Sequence, residues 1–497
     1  MKQLGAQDSQ FLFMENSNNL SNVVMVGIYG PAPVKKGETL FELIKSHVES
    51  RVHTSSIFTR KLVRVPLDLD FPYWADDEFF DLEGHIHYHR FPAPGDWAQL
   101  TDLVGRVHSR PLDMNRPLWE MHVVENLSGC GDLPEGSFAL LTKVHHAAVD
   151  GAAMVKFFAC LSDIDAEGTP VIDISKSAEK SGEAPRTEEI WSRFLSNHLQ
   201  SPLRMAQTLW RSAPAIAPAL LKSFTRDDCE KTRVPETRFN QKVAPRKIFD
   251  AVEYELEDFK AVQKKVEGAK INDVVLAVCS GAVRKYLMRH KELPEDSLVA
   301  WVPVNTRKAA SGSDDESGGN QITAMTTDLC TVLDDPIERM KEITRQTRLS
   351  KEAKAGVSAR VMTDVTQSMP GATLALVSHL IINSGITAKL CNLAISNVPG
   401  TQVPIFMKGA RCLHQYGMTP LGDGMGLFFV ALSYNGKLTL SITTNREIVP
   451  DIDVLKDCMV EALGELKSAK VATARRTSTR KRTGQKSAGQ SRNTRSK

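Results

Sequence analysis

One stretch constrains this chain more than any other. Phe138–Val144 (FALLTKV) is an apolar, strand-like run, and it leads straight into His145-His146-Ala147-Ala148-Val149-Asp150-Gly151. The next residues, AAMVKFFACL, read as a helix. A strand that feeds a helix through so short a turn belongs in an α/β frame. Residues on such a turn project from a rigid support. Two adjacent histidines there point in different directions, so one can face a cavity while the frame holds the other. Asp150 lies four residues past His146, within reach of a charge partner that would fix the turn. Gly151 permits backbone angles or a close approach that other residues resist.

The remainder of the chain supplies more such elements. Asn22–Tyr29 (NVVMVGIY) has the Val and Ile content of a buried strand. Thr39–Val48 and Trp97–Ser109 are helical in pattern, and Gly84–Phe91 alternates as a strand does. Trp119–Val124 and Phe138–Val144 are expected to be neighbouring strands. Ile164–Glu183 lacks aromatic residues and reads as a surface excursion. Ile190–Phe224 is amphipathic, with Trp191, Phe194, Leu209 and Trp210 among flanking Arg and Lys. It suits a core-facing helix pair, or an interfacial helix that dips into lipid. Residues 225–250 are charged and contain proline, as an inter-domain crossover would be. A second α/β body follows, with helices over Lys260–Glu267 and Val274–Arg289. Its strands fall at Val299–Val304, Gln321–Leu329, Leu393–Asn397, Gly426–Tyr434 and Lys437–Thr444. Asn435-Gly436 between the last two is a strong two-residue hairpin signal. At 497 residues the chain exceeds a single core. The expected division is a lobe over 1–224, the crossover, a lobe over 251–466 and a tail over 467–497.

Charge separates that tail from the body. Lys467–Lys497 holds 11 Lys and Arg and no Asp or Glu, and taking these from the net +3 leaves residues 1–466 at −8. The acidic body implies no polyanion site, and no nucleic-acid partner is expected. The tail reads as a solvated, disordered segment, with an anionic membrane surface as the alternative. Eight cysteines are scattered without any C-x-x-C pair, which points to neither a zinc ribbon nor a redox pair. The start of the chain has no charged-then-apolar export pattern. The most apolar stretch, Gly371–Ala388, is diluted by His379, Asn383, Ser and Gly, and reads as a buried or tunnel-lining helix. A cytoplasmic protein with reduced cysteines is expected.

Two further motifs compete for chemistry. His85, His87 and His89 alternate on what reads as one strand face, a spacing that can hold a metal. Packing or solvent exposure explains the face without one, and no metal is expected. Gly422-Asp423-Gly424-Met425-Gly426 precedes a strand rather than a helix, so it reads as a turn and not as a nucleotide loop.

The HHAAVDG segment matches the HHxxxDG motif of coenzyme-A-dependent acyltransferases. Pro117-Leu118-Trp119-Glu120, Asn272-Asp273, Val302–Arg307 (VPVNTR), Gly318–Ile322 (GGNQI) and Ser396–Gly400 (SNVPG) are further matching blocks. Together with the opening AQDSQFLFMEN, they make the chain resemble the bacterial wax ester synthase/diacylglycerol acyltransferase family from Leu4 to about Leu466. HHxxxDG alone is shared with chloramphenicol acetyltransferases and peptide-synthetase condensation domains. The combination is much more specific.

The resemblance implies two chloramphenicol-acetyltransferase-like lobes with mixed sheets and a tunnel between them. It implies His146 as general base, a structural role for His145, and an ion pair from Asp150 with Arg307 as candidate partner. Asn272 would assist at the reacting carbonyl. Gly151, Trp119, Ser396 and Asn397 are expected in support, Trp119 mainly through packing. A histidine near its ordinary pKa of about 6.5 suits the removal of an alcohol proton at neutral pH. No G-x-S-x-G elbow is present, so no acyl-enzyme is expected. The family has similar histidine-containing sequence near His85–His89 without a metal in its mechanism.

The implied reaction transfers a fatty acyl group from acyl-CoA to a long-chain fatty alcohol or to diacylglycerol. The coenzyme A thioester is a substrate, and no cofactor is expected. Contact with the inner membrane or lipid inclusions would be peripheral. Two alternatives stay open: a relative that acylates another hydroxyl or an amine from a carrier-bound donor, and a lipid-droplet or membrane-surface protein without activity. A chain ending near Leu466 is expected to keep its activity on dispersed substrate.

Overall fold

The computed structural model describes residues 2–149, 151–175, 177–186, 188–196, 234–305, 322–354 and 369–470. Two six-stranded sheets form its frame. The first contains β2 (Asn22–Tyr29), β5 (Ile86–Arg90), β6 (Trp119–Glu125) and β7 (Phe138–His145). It is completed by β12 (Phe406–Met407) and β13 (Ala410–Met418), in the order β12-β13-β2-β7-β6-β5. The second contains β8 (Ile248–Glu255), β9 (Val299–Asn305), β10 (Ile322–Asp328), β11 (Leu393–Pro399), β14 (Phe428–Tyr434) and β15 (Lys437–Thr444), in the order β10-β9-β11-β14-β15-β8. Both sheets mix parallel and antiparallel pairs. A small third sheet joins β1 (Lys2–Gln3), β3 (Arg60–Val63) and β4 (Tyr73–Asp76).

The sequence pattern dictates where each strand sits. All eight residues of β7 are buried, as expected for a strand with neighbours on both edges and cover on both faces. One face is covered by α3 (Trp97–His108), whose Leu100, Leu103, Val104 and Val107 meet Val24, Val26 and Leu141. Asp96 starts α3 with a reciprocal capping box to Gln99, which satisfies two otherwise orphaned donors. The other face is covered by α2 (Leu40–Glu49) and α4 (Gly151–Leu161), through Ile44, Val48, Phe157 and Leu161. In the second lobe α5 (Leu256–Gln263), α6 (Ile271–His290) and α7 (Pro336–Lys354) precede α8 (Gly371–Asn383), α9 (Ile386–Leu390) and α10 (Ile452–Ser468). Helices α6 and α10 share a core with β9, β11, β14 and β15. Asn435 and Gly436 both have positive φ, 45° and 82°, the geometry of the tight hairpin that their sequence predicts.

Three observations depart from the sequence reading. The 251–466 boundary does not bound a sheet, because β12 and β13 complete the first one, with β13 antiparallel to β2. Strand β8 also begins at Ile248, inside the segment read as crossover. Finally, α8 is only half-buried. Leu374 and Ala375 pack on Ala6 and Phe13 of α1 (Ala6–Phe13), whereas Leu376 and Leu380 are 61% and 60% exposed. No described helix is long and apolar enough to cross a membrane. Most of Ile190–Phe224 and the tail beyond Lys470 lie outside the described residues.

The lobes are joined by hydrogen bonds as well as by shared strands. On β13, Gly417 N donates to Ser441 Oγ of β15 at 3.3 Å, and Thr439 Oγ1 of β15 donates to Gln415 O at 3.0 Å. Trp97 Nε1 of α3 donates to Asp250 Oδ1 of β8 at 2.8 Å. A Cβ at Gly105 would sit 2.7 Å from Lys247 O. Only glycine therefore allows α3 to lie so close to the crossover.

Candidate active site

Strand β7 ends on His145, whose side chain is fully buried. Its Nδ1 accepts from Ala147 N at 3.1 Å. That bond places the ring proton on Nε2, which donates to Glu15 Oε1 at 3.0 Å. The same carboxylate oxygen accepts from Ser21 N at 2.6 Å. Both ring nitrogens of His145 are thus committed to holding the turn.

His146 has a different setting. It is partly exposed, and its ring stacks on Phe11 with centroids 4.0 Å apart and planes 15° apart. Its backbone N–H donates to Ser21 O at 2.8 Å. Ser21 Oγ in turn donates to Phe11 O at 2.8 Å. The segment from α1 to β2 therefore clasps the histidine pair: Glu15 holds His145, Ser21 holds the backbone and Phe11 holds the ring of His146. Arg60 Nη2 adds a hydrogen bond to Ala148 O at 2.9 Å, with its guanidinium 4.4 Å from the Trp74 ring centroid.

The other predicted residues divide into groups. Trp119 is fully buried, donates from Nε1 to Phe58 O at 3.0 Å and packs against Phe58. It is a packing residue of the first core. Asn272, in the first turn of α6, comes together with Asn397 of β11, whose Nδ2 lies 3.5 Å from Asn272 Oδ1. Ser396 is the preceding residue on β11 and is half-buried. The adjacent Asp273 is buried. Its Oδ2 accepts from Lys270 N and its Oδ1 from Thr347 Oγ1, both at 2.8 Å. These bonds fix the helix start that carries Asn272. Gly151 is the first residue of α4. Asp150 and Arg307, and with them their expected ion pair, lie outside the described residues.

The histidine-rich strand departs from its reading. His85 precedes β5 and is buried, with Nδ1 2.7 Å from Trp119 O and its ring stacked on Trp119. Only His87 and His89 share the strand face. Glu15, Phe11 and Ser21 were not legible as site residues. Their block resembles the family's opening, but no spacing rule links Glu15 to a histidine 130 positions away.

This fold, with a histidine pair ending a central strand of one lobe, defines a two-lobed acyltransferase. Residues 4–275 match the model of the wax ester synthase/diacylglycerol acyltransferase catalytic domain, and residues 318–467 match that of the WS/DGAT C-terminal domain. The chain belongs to the wax ester synthase/diacylglycerol acyltransferase family and is an acyltransferase. It is 30% identical over 475 residues to a Mycobacterium tuberculosis protein named as a diacylglycerol O-acyltransferase, covering 94% of this chain and 90% of the relative. It is 30% identical over 385 residues to the O-acyltransferase WSD of Acinetobacter baylyi, covering 76% of this chain and 79% of that one. A wax ester synthase/diacylglycerol acyltransferase from Marinobacter aquaeolei superposes with a TM-score of 0.65 at 25% identity, covering 94% of this chain and 98% of the other. The first condensation domain of the calcium-dependent antibiotic synthetase shares the fold, with a TM-score of 0.53 at 14% identity over 94% and 95% of the two chains.

Proposed function

We propose that the protein transfers a fatty acyl group from acyl-CoA to the hydroxyl of a long-chain alcohol or of diacylglycerol, with His146 as general base. The observation that carries this reading is the division of labour in the histidine pair. His145 is buried with both nitrogens engaged, whereas His146 is partly exposed and oriented by its backbone bond and by Phe11. The name of one relative supplies diacylglycerol, and the wax ester synthase named by the family model and the Marinobacter structure suggests the long-chain alcohol.

An alcohol is not ionised at neutral pH. A base within hydrogen-bond reach takes its proton as the oxygen attacks the thioester carbonyl. The new C–O bond forms, the carbonyl becomes an oxyanion, and the C–S bond then breaks. The proton held by His146 passes to the leaving thiolate, giving ester and free coenzyme A without an acyl-enzyme. Asn272 is the proposed oxyanion donor. Its Oδ1 faces Asn397, which leaves the amide NH2 to donate. One preorganised donor of this kind is worth about 3–4 kcal/mol. Asp150 and Arg307 are proposed to pair and hold the turn. No resident cofactor is needed for these steps. The exposed Leu376 and Leu380 of α8 suit peripheral contact with a membrane or a lipid inclusion, where both acceptors reside.

The test is thiol release from palmitoyl-CoA with hexadecanol, and then with diacylglycerol, for the wild type beside His146→Ala. Ester and thiol in equal amounts from the wild type alone support the reading. Equal ester from both proteins removes His146 as base. No ester from either with both acceptors points to a carrier-bound donor.

A further inference from the structure

A second cluster of histidines lies on the first sheet, away from the HHxxxDG turn. Strands β5 and β6 are parallel and in register, with His87 directly opposite His122. Glu120 stands two residues before His122, on the same face of β6. One ligand atom from each of His87, Glu120 and His122 can be chosen so that all three lie within 4.8 Å of one another.

The detailed geometry fits a bound ion. His122 Nε2 is buried and has no hydrogen-bond partner among the described residues. It lies 3.6 Å from Glu120 Oε2, outside hydrogen-bond range. Two ligand atoms held at about 2.1 Å by one tetrahedral zinc are roughly 3.4 Å apart. The observed gap is therefore close to the span that a shared zinc ion sets. The rings of His87 and His122 have centroids 4.8 Å apart. On its other side, His122 Nδ1 is 3.0 Å from His89 Nε2. With the proton on Nδ1, that bond orients the His122 ring and leaves a bare lone pair on Nε2, aimed at a carboxylate. Two electron-rich atoms in that position call for a cation between them.

We infer that His87, His122 and Glu120 form a zinc-class metal site that ties edge strand β5 to β6. Its role is structural. Strand β5 lies at one edge of its sheet, beside β6 alone among the described residues, so a cross-strand ligand set fastens a strand that backbone pairing holds on one side. Lys143 is the competitor. Its Nζ is 3.4 Å from the same Glu120 Oε2, and it also donates to Arg110 O at 2.7 Å. This contact lowers the affinity below that of a site with no cation beside it. A proton on His122 Nε2 is the rival occupant.

The test titrates zinc into the full chain, stripped by chelator and dialysed, against a chromophoric chelator. His87→Gln, Glu120→Gln and His122→Gln are titrated beside the wild type. His87 is only half-buried, so that variant keeps its fold even if His122→Gln does not, and circular dichroism checks both. One equivalent in the wild type is expected, with affinity falling at least about 10-fold in His87→Gln and Glu120→Gln. One equivalent should also raise the melting temperature of the wild type and leave that of His87→Gln unchanged. Absence of zinc uptake by the wild type, or wild-type affinity in His87→Gln and Glu120→Gln, overturns the assignment. Ester formation is not the readout, so failure of the acyltransfer reading leaves this test intact.

Discussion

Glu15 offers the sharpest perturbation of the clasp around the histidine pair. Glu15→Ala removes the acceptor of two donors, His145 Nε2 and Ser21 N. The His145 side chain is fully buried and Glu15 is 14% exposed, so water replaces the carboxylate poorly. A hydrogen bond to a charged group is worth about 1.5–3 kcal/mol. Two such bonds, with partial rescue by water, put the cost at about 3 kcal/mol. An unfolding entropy of about 2.1 cal/mol/K per residue gives roughly 1 kcal/mol/K for the folded body, hence a fall in Tm of about 3 °C. A catalytic cost is expected beside it. Ser21 carries the backbone of His146, the proposed base, and a misplacement of about 1 Å in a reacting group costs about 100-fold. Thiol release from palmitoyl-CoA with hexadecanol should therefore show kcat down about 10- to 100-fold with KM little changed. Glu15→Gln keeps an acceptor oxygen and should lie within a few-fold of wild type in kcat. Wild-type kcat and Tm in Glu15→Ala would refute the clasp. A fall in Tm with unchanged kcat would confine Glu15 to stability.

Four further outcomes are expected. Phe11→Ala removes the ring stacked on His146 and should lower kcat in the same assay more than it lowers Tm. Asp163 pairs with Arg51 at 2.6 Å, and both side chains are almost fully buried. Its Oδ2 also accepts from Lys408 N beside β12. Asp163→Ala should cost about 3–5 kcal/mol by urea denaturation, because it strands a buried guanidinium. His108 is fully buried, and burial holds its pKa at about 3. The unfolded chain, with an ordinary value near 6.5, therefore binds the proton first. Stability should fall by up to about 1.4 kcal/mol per pH unit as pH drops from about 6.5 to about 3, and His108→Leu should flatten that slope. Lys265 Nζ donates to the carbonyls of Leu466, Lys467 and Ala469, and Lys467 pairs with Asp258 at 2.8 Å. Truncation after Lys470 should leave thiol release unchanged, whereas truncation at Leu466 loses the bonds to the Lys467 and Ala469 carbonyls and the Asp258 pair, and should lower Tm.

Local pattern made much of this legible. Asn22–Tyr29 reads as a strand from its β-branched run, and the structure gives those same bounds. Asn435-Gly436 specifies its turn because both residues tolerate positive φ. What escaped depends on contacts between distant segments. The partner of His145 lies across 130 residues, and nothing in the spacing of NVVMVGIY shows that its open edge is closed by β13. His85 follows the alternation of its neighbours, yet its ring turns to the carbonyl and indole of Trp119. The half-exposure of α8 was hidden because apolar composition does not say which face finds a partner.

The placement of β13 has a consequence for synthesis of the chain. The β7 partner of strand β2 is complete once His145 has been made, but its other neighbour ends only at Met418, 273 residues later. At about 5–20 residues per second, that interval is roughly 15–55 s on the ribosome. Throughout it the nascent first lobe presents the unpaired edge of an apolar strand, the feature most prone to pairing with another chain. Expressed alone, residues 1–250 would keep that edge permanently, so a soluble half-protein requires the 406–418 segment to be supplied with it.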